Sequence, residues 1–147
     1  MIVEDTVDYH LRSTLFTMRR MYNLMAQEIG ITQGIGYALI NIGDNGIPAT
    51  KIAPLMGMTS SSLSRMLKNL EDDGLVYRKQ DEDDKRVVNI FLTSDGLKLK
   101  KKIEDVVLDF NNKLFQKLNL KELQIFEKVN NIIKEQAKNE IDNLRNQ

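Results

Sequence analysis

The stretch that decides the fold runs from Thr59 to Gly96 and reads TSSSLSRMLKNLEDDGLVYRKQDEDDKRVVNIFLTSDG. Its first part repeats apolar residues three and four positions apart, which is the spacing of a helix with one buried face. Gly74 ends that helix, and short strand-like runs then lie on either side of a polar loop, Gln80 to Lys85. The stretch therefore predicts a polar helix followed by a β-hairpin.

The two faces of this helix differ in chemistry. Its buried face is predicted to hold Leu63, Met66, Leu67 and Leu70, and its exposed face Ser60, Ser61, Ser62, Ser64, Arg65 and Lys68. Serines are short enough to let a helix approach DNA and can donate to phosphates. Arg65 is the best candidate for bonding a base edge, and Lys68 suits a phosphate. The alternative is a solvated helix face with capping serines.

The tip of the hairpin is basic. In Asp84-Lys85-Arg86 an acid precedes an arginine by two residues, so Asp84 can brace the turn while Lys85 and Arg86 point toward a minor groove or its phosphates. The acids at 81–84 would repel DNA unless they point away or pair with Lys79, Lys85 and Arg86, so a plain charged turn is the alternative. A helix followed by a basic-tipped hairpin indicates a winged-helix DNA reader.

The rest of the chain is predicted to be helical. One helix covers residues 7–29, a second begins after Thr32, and a third, with Pro54 inside it, runs from Pro48 to about Met56. Two long helices follow Ser94, with a break near Asn119. The fold class is mainly α with a small β-hairpin wing: a winged helix–turn–helix plus N- and C-terminal helices.

These outer helices carry more apolar surface than a small core can cover. A long uncovered apolar stripe usually packs against a second chain, so a homodimer is predicted. The alternative is an intramolecular helical hairpin. The predicted division is residues 1–30 and 94–147 for dimerisation and 31–93 for DNA binding, within one compact domain of 147 residues.

Composition argues against an enzyme. There is no cysteine, which excludes disulfides, thiol nucleophiles and zinc–thiolate sites, and His10 is the single histidine. No catalytic pair, phosphate loop, metal site or cofactor is predicted. Charged residues throughout positions 1–20 leave no secretory signal, and no membrane span is expected, so the chain is expected to be cytoplasmic.

The formal net charge is +0, which by itself does not favour nucleic acid. Between Ile47 and Leu92, seven basic residues are balanced by seven acidic ones. Because the acids are concentrated at the end of the polar helix and at the start of the loop, a local positive face remains available.

Several motifs in this region occur together in one family. They are Ala53 and Gly57 four residues apart, Leu70 with Gly74-Leu75-Val76 and Arg78, the D-x-R of Asp84 and Arg86, and the closing Leu92-Thr93-Ser94-Asp95-Gly96. With them, and with its flanking helices, the chain resembles the MarR family of bacterial transcriptional regulators over nearly its whole length. It departs from the common pattern at Pro54 and in the acids at 81–84, which make the stem of the wing acidic.

The resemblance implies a homodimer that binds a pseudo-palindromic duplex operator, usually as a repressor. It places the helix in the major groove through Ser61, Ser62, Ser64, Arg65 and Lys68, the wing at 79–88 in the minor groove through Arg86, and backbone anchors at Thr32, Gln33 and Thr50. It also implies a small aromatic or lipophilic ligand that lowers affinity. A pocket for it is predicted from Met18, Tyr22, Met25, Tyr37 and Met56, although such methionines are often simple core.

The alternative function is a winged-helix module that meets another protein and does not bind DNA specifically. The neutral net charge favours it. The effector, the operator and the direction of regulation are left open by the sequence.

Overall fold

The computed structural model describes residues 2–146. After a short 3₁₀ turn, the described part contains six α-helices and three short strands. The helices are α1 (Val7–Glu28), α2 (Gln33–Asn41), α3 (Ala49–Met56), α4 (Ser60–Asp72), α5 (Ser94–Phe115) and α6 (Leu120–Arg145). The strands are β1 (Ile47–Pro48), β2 (Val76–Gln80) and β3 (Val88–Leu92). The predicted fold class, mainly α with a small hairpin, is confirmed.

Side-chain caps define where several helices begin. The hydroxyl oxygens of Thr6, Thr32 and Thr59 each accept a hydrogen bond from a backbone N–H in the first turn of α1, α2 and α4. Asn119 begins α6 with a reciprocal capping box to Glu122. At the end of α3, Gly57 adopts the left-handed conformation, φ 61°, which ends the helix and directs the chain into α4.

The core lies where α2, α3 and α4 meet the sheet. Its largest fully buried side chains are Leu39, Ile42, Ile52, Leu70 and Ile90. On α4, three of the four predicted core residues are buried, and Met66 is half-buried. Packing of one helix face against the hairpin therefore fixes which face of α4 remains exposed.

The sheet has the order β1-β3-β2, with both pairs antiparallel. Strand β1 was not predicted, since two residues give no detectable alternation; Pro48 belongs to it and caps α3, where the sequence placed it inside the helix. The polar loop also starts later than predicted, because Gln80 pairs with Val88 at the end of the hairpin. Pro54 lies within α3 as expected, and its carbonyl still accepts from Gly57 N–H at 3.3 Å.

The start of α5 is locked to the end of α4. The Thr93 hydroxyl donates to the carbonyl of Gly74 at 2.6 Å and accepts from the N–H of Gly96 at 3.0 Å. The Thr93 N–H donates to the Leu75 carbonyl at 3.0 Å. These contacts give the L-T-x-x-G motif a physical role: they close the hairpin onto the helix that follows it.

Lys100 of α5 makes a second long-range link. Its ammonium donates to the carbonyl of Ile42, the residue that caps α2, at 3.0 Å, and lies 3.6 Å from the Asp44 carboxylate. The side chain is only 12% exposed. A lysine at the C-terminal end of a helix satisfies an otherwise unbonded carbonyl and favours the helix dipole.

The chain divides into two compact units, one ending at Val106 and the other starting at Val107, so the boundary lies within α5. In the first unit, α1 exposes Val7, Leu11, Leu15, Phe16 and Leu24. In the second, α6 has no buried residue and exposes Leu120, Ile125, Phe126, Val129, Ile132, Ile141 and Leu144. Within the described residues, no helix is both long and apolar enough to cross a membrane.

Candidate nucleic-acid interface

Helix α4 presents its polar face to solvent. Ser60, Ser61, Ser62, Ser64, Arg65 and Lys68 are all exposed, opposite the buried Leu63, Leu67 and Leu70. In the described part of the chain, neither Arg65 nor Lys68 forms an ion pair. Both cations are therefore available to an external anion.

The serines at the start of α4 are organised around the capping threonine. The Thr59 hydroxyl oxygen accepts from the Ser62 N–H at 3.2 Å, lies 3.2 Å from the Ser61 hydroxyl and donates to the Ser62 hydroxyl at 3.0 Å. Ser61 and Ser62 thus contact the capping hydroxyl of Thr59, while Ser60 and Ser64 are exposed and do not contact it.

The predicted backbone anchors lie at the starts of two other helices. The Thr32 hydroxyl oxygen accepts from Ile35 N–H at 3.2 Å, so it caps α2, and the half-buried Gln33 is the first residue of that helix. Thr50 is exposed in the first turn of α3. The first-turn N–H groups of a helix attract phosphate, which is the chemistry proposed for these positions.

At the wing tip, Asp84 and Arg86 form a two-point fork. Arg86 Nε donates to Asp84 Oδ1 at 3.0 Å and Nη2 to Oδ2 at 3.1 Å, while the Arg86 backbone N–H donates to Oδ1 at 3.0 Å. These bonds lower the pKa of the Asp84 carboxyl and raise the pKa of Arg86. The Arg86 side chain nevertheless remains 91% exposed, so the fork orients it without covering it.

Asp81 organises the loop, a role that sequence reasoning missed. Its Oδ1 accepts from the backbone N–H groups of Asp83 and Asp84 at 3.0 and 3.1 Å, and its Oδ2 accepts from the Asn89 side-chain amide at 2.9 Å. The bond from the Asp84 N–H contributes most to lowering the pKa of Asp81. An aspartate followed by polar residues is the available signal for such a turn, but the Asn89 contact spans the hairpin.

The acids of the wing stem are largely occupied. Glu82 accepts from the Lys79 ammonium at 2.8 Å, which lowers the pKa of Glu82 and raises the pKa of Lys79. Asp81 and Asp84 bond as described, and Asp83 is exposed. No carboxylate pairs with Lys85 among the described residues; its carbonyl accepts from the Gln80 amide at 3.3 Å. Lys85 is thus the wing cation with no acidic partner.

The loop should stay ordered from neutral pH down to at least pH 3.8. Because the folded pKa values of Asp81 and Asp84 lie below the ordinary 3.8, their bonds are present above 3.8 and are lost only as the pH falls through the lowered values. The Asn89 side-chain amide signals in an NMR pH titration measure this. The Asn130 amide, bonded to the Phe126 carbonyl at 2.8 Å, is the control. Movement of the Asn89 signals alone above pH 3.8 would contradict the model of the loop.

The five residues proposed for an effector pocket lie in three helices. Met18, Tyr22 and Met25 are half-buried on α1, Tyr37 is exposed on α2, and Met56 is half-buried at the end of α3. Burial raises the pKa of Tyr22. An open groove of about 390 Å³ on α1 is lined by Thr17, Arg20, Met21, Leu24, Met25 and Glu28. It contains one of the five, Met25.

Comparison with known proteins supplies the family. The model of the MarR family matches residues 39–88, which include α3, α4, strand β2 and the wing loop up to the first residue of β3. The organic hydroperoxide resistance transcriptional regulator of Bacillus subtilis is 31% identical over 107 residues, covering 72% of this chain and 73% of that protein. The chain belongs to the MarR family. As a MarR-family member it is a transcriptional regulator that binds DNA, not an enzyme.

Solved structures agree with this assignment. The Staphylococcus aureus MepR–DNA complex is 25% identical, with a TM-score of 0.79, and the match covers 93% of this chain and 99% of that one. A MarR-family regulator from Listeria monocytogenes in complex with a 26mer DNA has a TM-score of 0.81 at 21% identity, covering 92% and 91%. At that identity, the second match shows that the winged-helix fold is shared.

Proposed function

We propose that the protein is a homodimeric repressor that binds a pseudo-palindromic duplex operator, with α4 in the major groove and the wing, residues 79–88, in the minor groove. One observation carries the proposal: Arg65 and Lys68 lie on the exposed face of α4 and have no acidic partner among residues 2–146. A helix whose apolar face is packed and whose outer face carries short polar and free basic side chains is suited to a major groove.

The contacts divide by chemistry. Arg65 reads a base edge, since a guanidinium can bond guanine at two points. Ser60, Ser61, Ser62, Ser64 and Lys68 meet phosphates, and Thr32, Gln33 and Thr50 anchor the backbone at helix starts. In the wing, Asp84 braces Arg86, which enters the minor groove, and Lys85 meets a flanking phosphate. The MepR and Listeria structures that share this fold are DNA complexes, which supports the assignment.

Dimerisation is supported by the apolar residues that α1 and α6 expose. On α6 alone, seven large apolar side chains are exposed in the single chain. Helices with this much exposed apolar surface are expected to bury it against a second copy. Residues 1–30 and 94–147 form the dimerisation part of the proposal and residues 31–93 the DNA-binding part.

Repression relieved by a small lipophilic or aromatic ligand is the proposed mode of regulation, with Met18, Tyr22, Met25, Tyr37 and Met56 as candidate contacts. The Bacillus subtilis relative is named for organic hydroperoxide resistance. This chain has no cysteine, so oxidation of a thiol is not its signal. A regulator of this kind works where the chromosome lies, and we place it in the cytoplasm.

Salt-dependent binding to duplex DNA tests the proposal. The probe is a duplex selected from a random-sequence library by the wild-type protein. We expect the logarithm of the affinity to fall linearly with the logarithm of salt concentration, by about 0.9 for each phosphate contacted. Sedimentation of the free protein at micromolar concentration should give a dimer, and titration should give two chains per duplex.

Two results would decide against the proposal. A monomer in sedimentation would remove the dimer, and binding to duplex DNA that is weak and insensitive to sequence would favour the protein-interaction module. The neutral net charge of the chain is the observation that favours the protein-interaction module.

A further inference from the structure

The last turn of α4 is joined to the hairpin by an ion pair. Arg78 Nε of strand β2 donates to Glu71 Oε2 at 2.9 Å. In the described part of the chain, it is the one ion pair that connects α4 with the hairpin. The covalent connection is a tight turn at Gly74, φ 69°. The ion pair bridges this turn, since Glu71 precedes it in the helix and Arg78 follows it in the strand.

The pairing in the sheet explains why Arg78 turns toward α4. Side chains two apart on a strand share a face, so Arg78 lies on the same side of β2 as the buried Val76. Its partner across the ladder is Ile90, which is fully buried. The Arg78 side chain is 41% exposed, against 91% for Arg86 at the tip. Arg78 is therefore held against the helix, and Arg86 is presented to solvent.

We infer that Glu71 and Arg78 are positioning residues that fix the wing relative to α4, so that the major-groove and minor-groove contacts engage together. This inference rests on the proposed function. From Arg78 to the loop tip, the hairpin extends up to about 16 Å at 3.3 Å per residue. A tilt of roughly 10° at its base moves the tip by about 3 Å, which is a full hydrogen-bond length. A small change in orientation at the Glu71–Arg78 pair therefore produces a large displacement of Arg86.

A direct DNA contact by Arg78 would give the opposite sign for one variant. If Glu71 only restrained a phosphate-binding arginine, Glu71→Ala would remove a negative charge, free the guanidinium and strengthen binding. If the pair positions the wing, the same variant weakens binding. Helix α4 itself should not suffer, because alanine is the best helix former and a carboxylate near a helix C-terminus is unfavourable.

The test measures affinity for the selected duplex by fluorescence anisotropy, with the melting temperature of each variant alongside. We expect Glu71→Ala to lower the affinity by roughly threefold to tenfold, with no loss in melting temperature. The matched control is Asp109→Ala, which removes a carboxylate from an exposed pair in α5, Asp109 with Lys113 at 2.6 Å. The control should bind as wild type does. Tighter binding by Glu71→Ala would overturn the inference.

A double-mutant cycle with Arg86→Ala separates positioning from general weakening. Once the minor-groove contact of Arg86 is absent, a misplaced wing can lose only the phosphate contact of Lys85, so Glu71→Ala should have a much smaller effect in the Arg86→Ala background than in the wild type. Losses that simply add would overturn the inference. The charge-reversed pair, Glu71→Arg with Arg78→Glu, should recover most of the lost affinity.

Failure of the inference differs from failure of the proposed contacts. If Arg65→Ala and Arg86→Ala weaken binding but Glu71→Ala does not, the positioning role alone is wrong. If Arg86→Ala binds as wild type does, the wing contact is wrong, and so is the positioning role that depends on it.

Discussion

The Gly96→Ala variant should lose about 3 kcal/mol of folding free energy. A Cβ at this position would overlap the carbonyl oxygen of Leu75 and lie 3.1 Å from its carbonyl carbon. These are backbone atoms, so no side-chain rotation relieves the clash. The surrounding hydrogen bonds of Thr93 to Gly74 and Gly96 hold both segments in place, so relief requires α5 to separate from the hairpin. Thermal unfolding should show a melting temperature lower by roughly 10 °C.

Gly43→Ala is the matched control, since it adds the same methyl group at another glycine. No atom lies within 4 Å of a Cβ built there, and Gly43 is not among the glycines with positive φ. Its melting temperature should stay near that of the wild type, or rise slightly because alanine restricts the unfolded chain. Equal melting temperatures for the two variants would show that α5 does not approach Leu75 this closely.

The helices were predictable because their information is local. Periodic apolar residues, capping threonines and Gly57 all act within one turn, and α4 begins after Thr59 as its sequence indicates. Contacts between distant segments were not predictable. Lys100 bonds a carbonyl 58 residues away, and the sequence around either position gives no sign of it. The two-residue strand β1 exists only because β3 pairs with it.

For the candidate interface, sequence reasoning found the exposed cations but not how each is held. The helical periodicity of the apolar residues in α4 was enough to place Arg65 and Lys68 on the exposed face. The D-x-R spacing pointed to a brace at Asp84, and the structure shows a two-point fork. Arg78 was read only as part of a motif, since a partner seven residues earlier, on the preceding helix, cannot be inferred from spacing alone.

Two of the three wing cations are paired with carboxylates in the folded wing. We therefore expect α4 to contribute more of the DNA affinity than the wing does. Lys79 is paired with Glu82 and Arg86 with Asp84, so their charges are partly compensated before DNA arrives. Arg65 and Lys68 have no such partners in the described part of the chain. Removal of Arg65 or Lys68 should therefore have larger effects than removal of the paired wing cations, Lys79 and Arg86, and the effects of removing Arg65 and Lys68 should differ in kind.

Arg65→Ala should cause the largest loss of operator affinity and should relax sequence preference. A two-point bond to a base is worth about 1–3 kcal/mol of discrimination, and a dimer makes it twice, so the loss is about 30-fold or more. The affinity for random duplex DNA should change much less. Anisotropy titrations with the selected and the random duplex, over a range of salt concentrations, measure both effects.

Lys68→Ala is the informative comparison, because it removes a cation one helical turn away on the same face. A phosphate contact carries no sequence information, so both duplexes should be weakened alike, and the salt slope should fall by about 1.8 for two copies. Lys102→Ala, at an exposed lysine of α5, should alter neither quantity. If Arg65→Ala weakened the selected and random duplexes equally, Arg65 would be a phosphate contact. Other residues of α4 would then have to recognise the DNA sequence.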